Sequence, residues 1–298
     1  MVNSPATISV IIPAYNSEAT LKATIESVLD QDPMPVDVIV INDGSTDATR
    51  DISLAFGSRI TYIEQTNHGV AHARNTGADA AKGSWFCFLD SDDRLLPKGL
   101  GALADSAISG RAGVVFGSLE TYNPANGKRE RRITGNSAGT PPHPARVNFW
   151  RSSLTAPGAA IVSRDVHYST GGFVNAPPVE DRDYWMKCGV LTAFEYRDVL
   201  VLEKLIRSDS ASQRKREAII SGIKIQRSFL TWCSERDINT AFLDIDQHKL
   251  VHRAVDKAIT WRSWGALAFV LGDAFSQGLF SIALVKQVYR SMSGVQSD

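Results

Sequence analysis

Trp85-Phe86-Cys87-Phe88-Leu89-Asp90-Ser91-Asp92-Asp93 passes from five apolar residues straight into three carboxylates within four positions. A short apolar run bounded by turn residues suits a strand buried on both faces. Residues 85–89 therefore read as a strand ending at Asp90. Working back, residues 7–12, 36–41 and 60–63 are similar runs rich in β-branched side chains. Helical spacing fills the gaps between them. Residues 17–31 place Leu21, Ile25, Val28 and Leu29 on one face, with Ser17 or Glu18 at the start. Asn42-Asp43-Gly44-Ser45 is turn chemistry, after which Ser45 or Thr46 can cap a helix running to Ala55. Residues 69–81 read as a helix of small residues. This alternation argues a parallel sheet covered by helices.

In such sheets ligands bind beyond the carboxyl ends of the strands. The polar clusters fall at those ends: Pro13-Ala14-Tyr15-Asn16 after the first strand, Asp43-Gly44-Ser45 after the second, Asp90-Ser91-Asp92-Asp93 after the fourth. Working forward, the rhythm lapses. Residues 121–143 are rich in Asn, Gly, Pro and charge and read as a surface loop or hairpin. Residues 156–162 look extended, 180–191 read as a short helix, and 194–196 and 199–206 as strands. From about residue 210 to 292 the chain reads helical, with apolar positions such as Ile219, Ile223, Phe229 and Leu230 in register.

Composition bounds the function. The chain has 298 residues, 43% hydrophobic and 21% charged, enough to bury a sizeable core. Thirty-two Lys plus Arg balance thirty-two Asp plus Glu, which argues against a nucleic-acid partner. Cys87, Cys188 and Cys233 are scattered, with no Cys-x-x-Cys, and point to a reducing compartment. The apolar run at residues 8–12 is stopped by Pro13 and preceded by no Lys or Arg, so it reads as a strand rather than a secretory signal. No stretch reaches ~18 apolar residues without a charge. The expectation is a cytoplasmic protein, with peripheral contact at the cytoplasmic face of a membrane and homo-oligomerisation left open.

The chemistry concentrates in a few constellations. Three carboxylates at a strand end repel one another unless a cation or hydrogen bonds compensate. Hard oxygens suit Mg²⁺ or Mn²⁺, which sits on one or two carboxylates plus substrate phosphates. Tyr15 offers a ring for stacking on a base, or is a core tyrosine. Asp43 can accept from a base or ribose, or close an Asx turn with Gly44. Arg74, on the small-residue helix, can fork onto phosphate or base oxygens, or be a surface arginine. Glu180-Asp181-Arg182-Asp183 is a second acidic cluster about ninety residues after the first. A carboxylate there can serve as a base for an acceptor hydroxyl, or simply favour a helix N-terminus.

The ordered set resembles family 2 glycosyltransferases with the GT-A fold. The matching segments are Val10-Ile11-Ile12-Pro13-Ala14-Tyr15-Asn16, Asn42-Asp43-Gly44-Ser45-Thr46-Asp47, Asn67-His68-Gly69 with Ala73-Arg74-Asn75-Thr76-Gly77, Phe88-Leu89-Asp90-Ser91-Asp92-Asp93, Gly171-Gly172-Phe173, and Glu180-Asp181-Arg182-Asp183-Tyr184-Trp185. They cover about residues 7–190. The resemblance implies a Rossmann-like, mostly parallel central sheet flanked by helices, a nucleotide-sugar-binding and catalytic domain over residues 1–209, and a helical region over 210–298. It implies inverting transfer from a nucleotide-diphosphate sugar, usually a UDP-sugar, to a glycan or lipid-linked acceptor in polysaccharide or glycoconjugate synthesis. It assigns Pro13, Ala14, Tyr15, Asn16, Glu18, Asp43, Arg74, Asp90 and Ser91 to the donor. Asp90 and Asp92 carry the divalent metal, with Asp93 beside them. Asp181 is the base, with Glu180 next to it. Residues 158–163 and 171–173 line the acceptor side.

Two other readings are weighed. A sugar nucleotidyltransferase needs a Gly- and Lys-rich loop after the first strand, and Pro13-Ala14-Tyr15-Asn16 is not one. A non-catalytic nucleotide-sugar binder would not need both Asp92 and Asp181. His248 with His252, His68 with His72, and the run Lys128-Arg129-Glu130-Arg131-Arg132 read as structural or solvated. No phosphate-binding Gly-x-x-x-x-Gly-Lys loop and no dinucleotide glycine fingerprint occurs.

Overall fold

β-branched and aromatic runs with no charge inside them pair as central strands. In the computed structural model, which describes residues 6–108, 110, 112–132, 155–206, 215–240 and 247–293, three such runs and an edge strand that carries Glu64 form the parallel half of a sheet. These are β1 (Ile8–Ala14), β2 (Asp37–Asp43), β3 (Thr61–Gln65) and β4 (Trp85–Phe88), in the order β3-β2-β1-β4. Pro13 sits in a central strand without breaking it. The β4 ladder on that side ends at Ile11 paired with Phe88, so the missing N–H of Pro13 falls beyond the last pair.

Beyond β4 the sheet is mixed. β8 (Ala160–Ser163) runs antiparallel between β4 and β6 (Val114–Asn123). β9 (Phe194–Leu205) runs parallel to β6, and the two-residue β5 (Arg94–Leu95) lies antiparallel on β9. The segments expected at 194–196 and 199–206 are thus one strand. Asp198, which separated them in sequence, coincides with a shift of pairing register opposite Phe116 and Ser118. The expected loop or hairpin after 121 begins as a hairpin: β7 (Lys128–Arg132) pairs back on β6, so the basic run is a strand. Its remainder, from residue 133 to 143, lies outside the described residues.

Helices cover both faces. α1 (Leu21–Leu29) starts later than the expected residue 17. Residues 17–20 form a turn in which the Thr20 and Leu21 amides both donate to Ser17 O, and the Ser17 amide donates to Thr49 Oγ1 at 2.7 Å. α2 (Thr49–Leu54) is not capped by Ser45 or Thr46. Asp47 Oδ1 accepts from the Thr49 amide and Glu18 Oε2 from the Ala48 amide, while Ser45 and Thr46 turn to Asn16. α3 (Val70–Ala80) crosses β1 and β2 so closely that a Cβ at Gly77 would stand 2.4 Å from Ile11 Cγ2. α4 (Gly99–Ala107), α5 (Arg164–Thr170) and α6 (Glu180–Leu191) complete the sheet layers. The core on the α1 side is built from Val10, Ile12, Val40, Leu21, Ile25 and Val28 with their neighbours.

The chain divides into two compact units: residues 1–175 with 180–207, and 176–179 with 208–298. The second holds α7 (Lys215–Ser234), α8 (Gln247–Thr260), α9 (Trp264–Ser276) and α10 (Ile282–Ser293) around its own core of Ile219, Val255, Ala258, Val270 and Leu284. Among the described residues, no helix is long and apolar enough to cross a membrane.

Candidate active site

The loop after β1 and the loop after β2 hold each other. The Asn16 amide donates to Ser45 Oγ at 3.0 Å, and the Thr46 amide donates to Asn16 Oδ1 at 2.9 Å. Asn16 sits at φ 47°, in the left-handed region asparagine tolerates. Tyr15 is left 51% exposed on this lip. Pro13 and Ala14 are buried within β1, and the Glu18 carboxylate is engaged on the Ala48 amide.

Asp43, at the end of β2, organises the next loop. Its Oδ1 accepts from Gln65 Nε2 at 2.7 Å and from the His68 amide at 2.9 Å. Its Oδ2 accepts from the Gly69 amide at 2.8 Å. Gly69 adopts φ +89°, which a side chain would strain.

Asp90, Ser91, Asp92 and Asp93 follow β4, clamped by α1. Ser17 and Ser91 hydroxyls meet at 2.8 Å, Thr20 Oγ1 donates to Ser91 O at 2.8 Å, and Thr24 Oγ1 lies 2.9 Å from Ser91 O and 2.8 Å from Asp93 O. Carboxylate oxygens of Asp90, Asp92 and Asp93 all lie within 4.8 Å of one another, the one such acidic or His/Cys group among the described residues. An all-carboxylate set of that span fits a hard divalent cation.

Arg74 ties this cluster to the second acidic segment. Its guanidinium donates to Asp90 Oδ1 at 2.7 Å and to Glu180 Oε1 at 3.2 Å, at the first residue of α6. Its side chain is only 3% exposed and lies over the Phe173 ring, 4.9 Å from the centroid. Burial works against its charge, yet Asp90, then Glu180, with Asp181 adding to them, hold its pKa above the usual value. Burial pushes the Asp90 carboxyl up, but Arg74 and then Lys204 outweigh it and its pKa lies below the ordinary range. Burial dominates at Asp93, whose pKa is pushed up to about 7 even though Lys204 pulls the other way. Asp93 Oδ1 accepts from the Leu205 amide at 3.1 Å, and its Oδ2 lies 3.2 Å from Lys204 Nζ.

The structure therefore brings Arg74, Asp90, Asp93 and Glu180 into one network, with Asp181 half-buried one residue on. Tyr15, Asn16 and Glu18 belong to the interlocked loops, and Asp43 to the 65–69 loop. Asp183, third in the acidic segment, is a buried partner of Lys187 at 2.8 Å. Sequence reasoning missed Lys204. The signal was there: Glu203-Lys204 puts two charges near the end of an otherwise apolar run. His68 and His72 lie 4.8 Å apart between centroids with their rings tilted by 37°, and His252 bonds Gln287, while the side chain of His248 lies outside the described residues.

The sequence profile described as Glycosyl transferase family 2 matches residues 9–171, over half of the chain. The chain belongs to glycosyl transferase family 2. This family 2 chain is 35% identical over 133 residues to the glycosyltransferase GlyA of Streptococcus pneumoniae serotype 4, a match covering 44% of this chain and 19% of GlyA. It is 36% identical over 100 residues to YibD of Escherichia coli K12, named as an uncharacterized glycosyltransferase, covering 33% of this chain and 29% of YibD. It thus spans less than a third of the length of either curated relative. S. aureus TarS 1–349, crystallised with UDP-GlcNAc, superposes with a TM-score of 0.67 at 17% identity, over 96% of this chain and 87% of that one. The complex of TarS 1–349 with UDP gives 0.60 at 18% identity, over 98% and 93%. The family 2 chain therefore has the GT-A fold.

Proposed function

We propose that this chain is an inverting glycosyltransferase that moves a sugar from a UDP-sugar to an acceptor hydroxyl on a glycan or lipid-linked precursor of cell-surface or secreted polysaccharide. The observation that carries the reading is the Arg74 bridge, which couples the Asp90–Asp93 cluster to the Glu180–Asp181 segment. The acid cluster is thereby tied to the residue next to the candidate base, Glu180 beside Asp181. TarS, which shares the fold, was crystallised with UDP and with UDP-GlcNAc, and this supports a uridine diphosphate donor.

In this reading residues 1–209 are the donor-binding and catalytic domain, and 210–298 a helical region. Tyr15 stacks on the base, and the Asp43 loop and Pro13–Asn16 frame the nucleotide. Asp90 and Asp92 would hold a Mn²⁺ or Mg²⁺ ion, with Asp93 engaged by Lys204 and the Leu205 amide. Bound there, the ion supplies neutralisation of the departing diphosphate. Asp181 takes the proton of the acceptor hydroxyl. The acceptor oxygen forms its bond to the anomeric carbon on the face opposite the diphosphate, and the sugar–phosphate C–O bond breaks with its electron pair going to UDP. Glu180 accepts from Arg74 and orients the start of α6. Cys87, Cys188 and Cys233 are buried and outside any disulfide, which fits a cytoplasmic setting.

The test is Asp181→Asn, assayed by UDP release against a panel of UDP-sugars with Mn²⁺, Mg²⁺ or EDTA. Turnover falls by about 10²–10⁴-fold, donor binding by thermal shift stays at the wild-type level, and EDTA removes both binding and turnover in the wild type. Near wild-type turnover by the asparagine variant rules out Asp181 as the base.

A further inference from the structure

Lys204 reaches the acid cluster from a strand 111 residues beyond Asp93 in sequence. Its Nζ stands 3.2 Å from Asp93 Oδ2 and 3.6 Å from Asp90 Oδ2. The remaining oxygen of each acid is already taken: Asp93 Oδ1 by the Leu205 amide and Asp90 Oδ1 by Arg74. The lysine side chain is still 40% exposed along its length.

We propose that Lys204 is an internal counter-ion that keeps Asp90, Asp92 and Asp93 assembled without a metal and holds divalent-cation affinity low until a diphosphate arrives. The proposal rests on the donor-site reading above and adds a positioning residue to it. Three carboxylates within 4.8 Å of one another repel. An ammonium is a compact charge with three donors, and two of these acids are within its reach. A dication entering the cluster meets that positive charge across the same two carboxylates. A diphosphate brings negative charge that balances both cations, so metal and nucleotide reinforce each other. With Lys204 in place the cluster is shaped for a metal–diphosphate pair rather than for a bare ion.

The experiment is Mn²⁺ titration of the whole chain, read as free Mn²⁺ by electron paramagnetic resonance, with and without UDP. Lys204→Gln keeps a hydrogen bond to Asp93 and loses the charge; Lys204→Arg keeps the charge. Without UDP, Lys204→Gln binds Mn²⁺ at least about tenfold more tightly than the wild type, and UDP improves its Mn²⁺ affinity less. Lys204→Arg stays near the wild type. A purely structural lysine predicts unchanged Mn²⁺ affinity in the glutamine variant, and that result, with circular dichroism showing a native fold, overturns the proposal. A tenfold gain in the arginine variant overturns it equally, and that variant decides the matter if Lys204→Gln does not fold. Wild-type Mn²⁺ binding that depends on UDP but ignores the substitution removes Lys204 and leaves the metal reading standing. No Mn²⁺ binding by any of the proteins with UDP present overturns both.

Discussion

Arg74 spends its guanidinium on two acids from distant elements, Asp90 after β4 and Glu180 opening α6. Removing one member of such a buried set leaves the others uncompensated, which costs far more than the set contributes when intact. The two acidic clusters that meet around Arg74 were legible as carboxylate-rich segments of the sequence. Their partners were not. Arg74 was read as a donor ligand or a surface arginine, and nothing in a linear sequence says that β9 will deliver Lys204 to Asp93. Beneath Arg74 lies an aromatic floor in which Phe173 and Tyr184 stack at 4.0 Å and His167 Nδ1 meets Tyr184 Oη at 3.0 Å. Burial depresses the His167 pKa from 6.5 to about 4, with Arg164 adding to it against the pull of Asp79. Between those two values the unfolded chain binds a proton that the folded chain refuses. The stabilisation is present above pH 6.5 and is lost as pH falls toward 4, by about 3 kcal/mol. Urea titrations at stepped pH will show this loss as a difference between the wild type and His167→Gln, because Asp93, raised to about 7, contributes with the opposite sign in the same window and is common to both proteins. A wild-type-minus-His167→Gln difference that is level across the window excludes a buried neutral histidine.

At the scale of elements, the parallel strands were readable from apolar runs, and α3 and α6 fall where short helices were expected, at 69–81 and 180–191. Misreadings came where tertiary contacts overrode local chemistry. Residues 17–20 look like a helix start, yet Thr49 captures the Ser17 amide and α1 begins at Leu21. Ser45 and Thr46 look like caps, yet Asn16 claims them and Asp47 takes over. Asp198 looks like a break, yet a register shift against β6 absorbs it. Gly77 shows how tightly α3 is seated: a Cβ there meets Ile11 Cγ2 at 2.4 Å and Ile41 Cδ1 at 2.6 Å. Helix propensity alone favours alanine over glycine by about 1 kcal/mol. Overpacking this contact opposes it by about 1–3 kcal/mol and wins. Gly77→Ala therefore lowers the urea midpoint at an unchanged slope; a raised midpoint would mean that α3 stands off the sheet.

For the whole molecule, parallel topology did what the sequence led one to expect, placing the tips of β1, β2 and β4 beyond one edge of the sheet. The mixed half was less legible, since antiparallel returns such as β8 leave no periodicity of their own in four residues. The second unit was legible only as helices, because apolar spacing announces burial and not purpose. One property of the folded chain opens a practical route to its chemistry. All three cysteines are buried, and burial lifts the Cys87 thiol to about 12 and Cys188 higher still. The native protein will react sluggishly with a colorimetric thiol reagent, whereas the urea-unfolded chain will release three equivalents promptly; fast native labelling would contradict that burial. The surface is thereby left blank for a single introduced thiol. Thr46→Cys, at an exposed position on the loop that Asn16 grips, would accept one fluorophore and report nucleotide arrival in real time, with no native side chain competing for the dye.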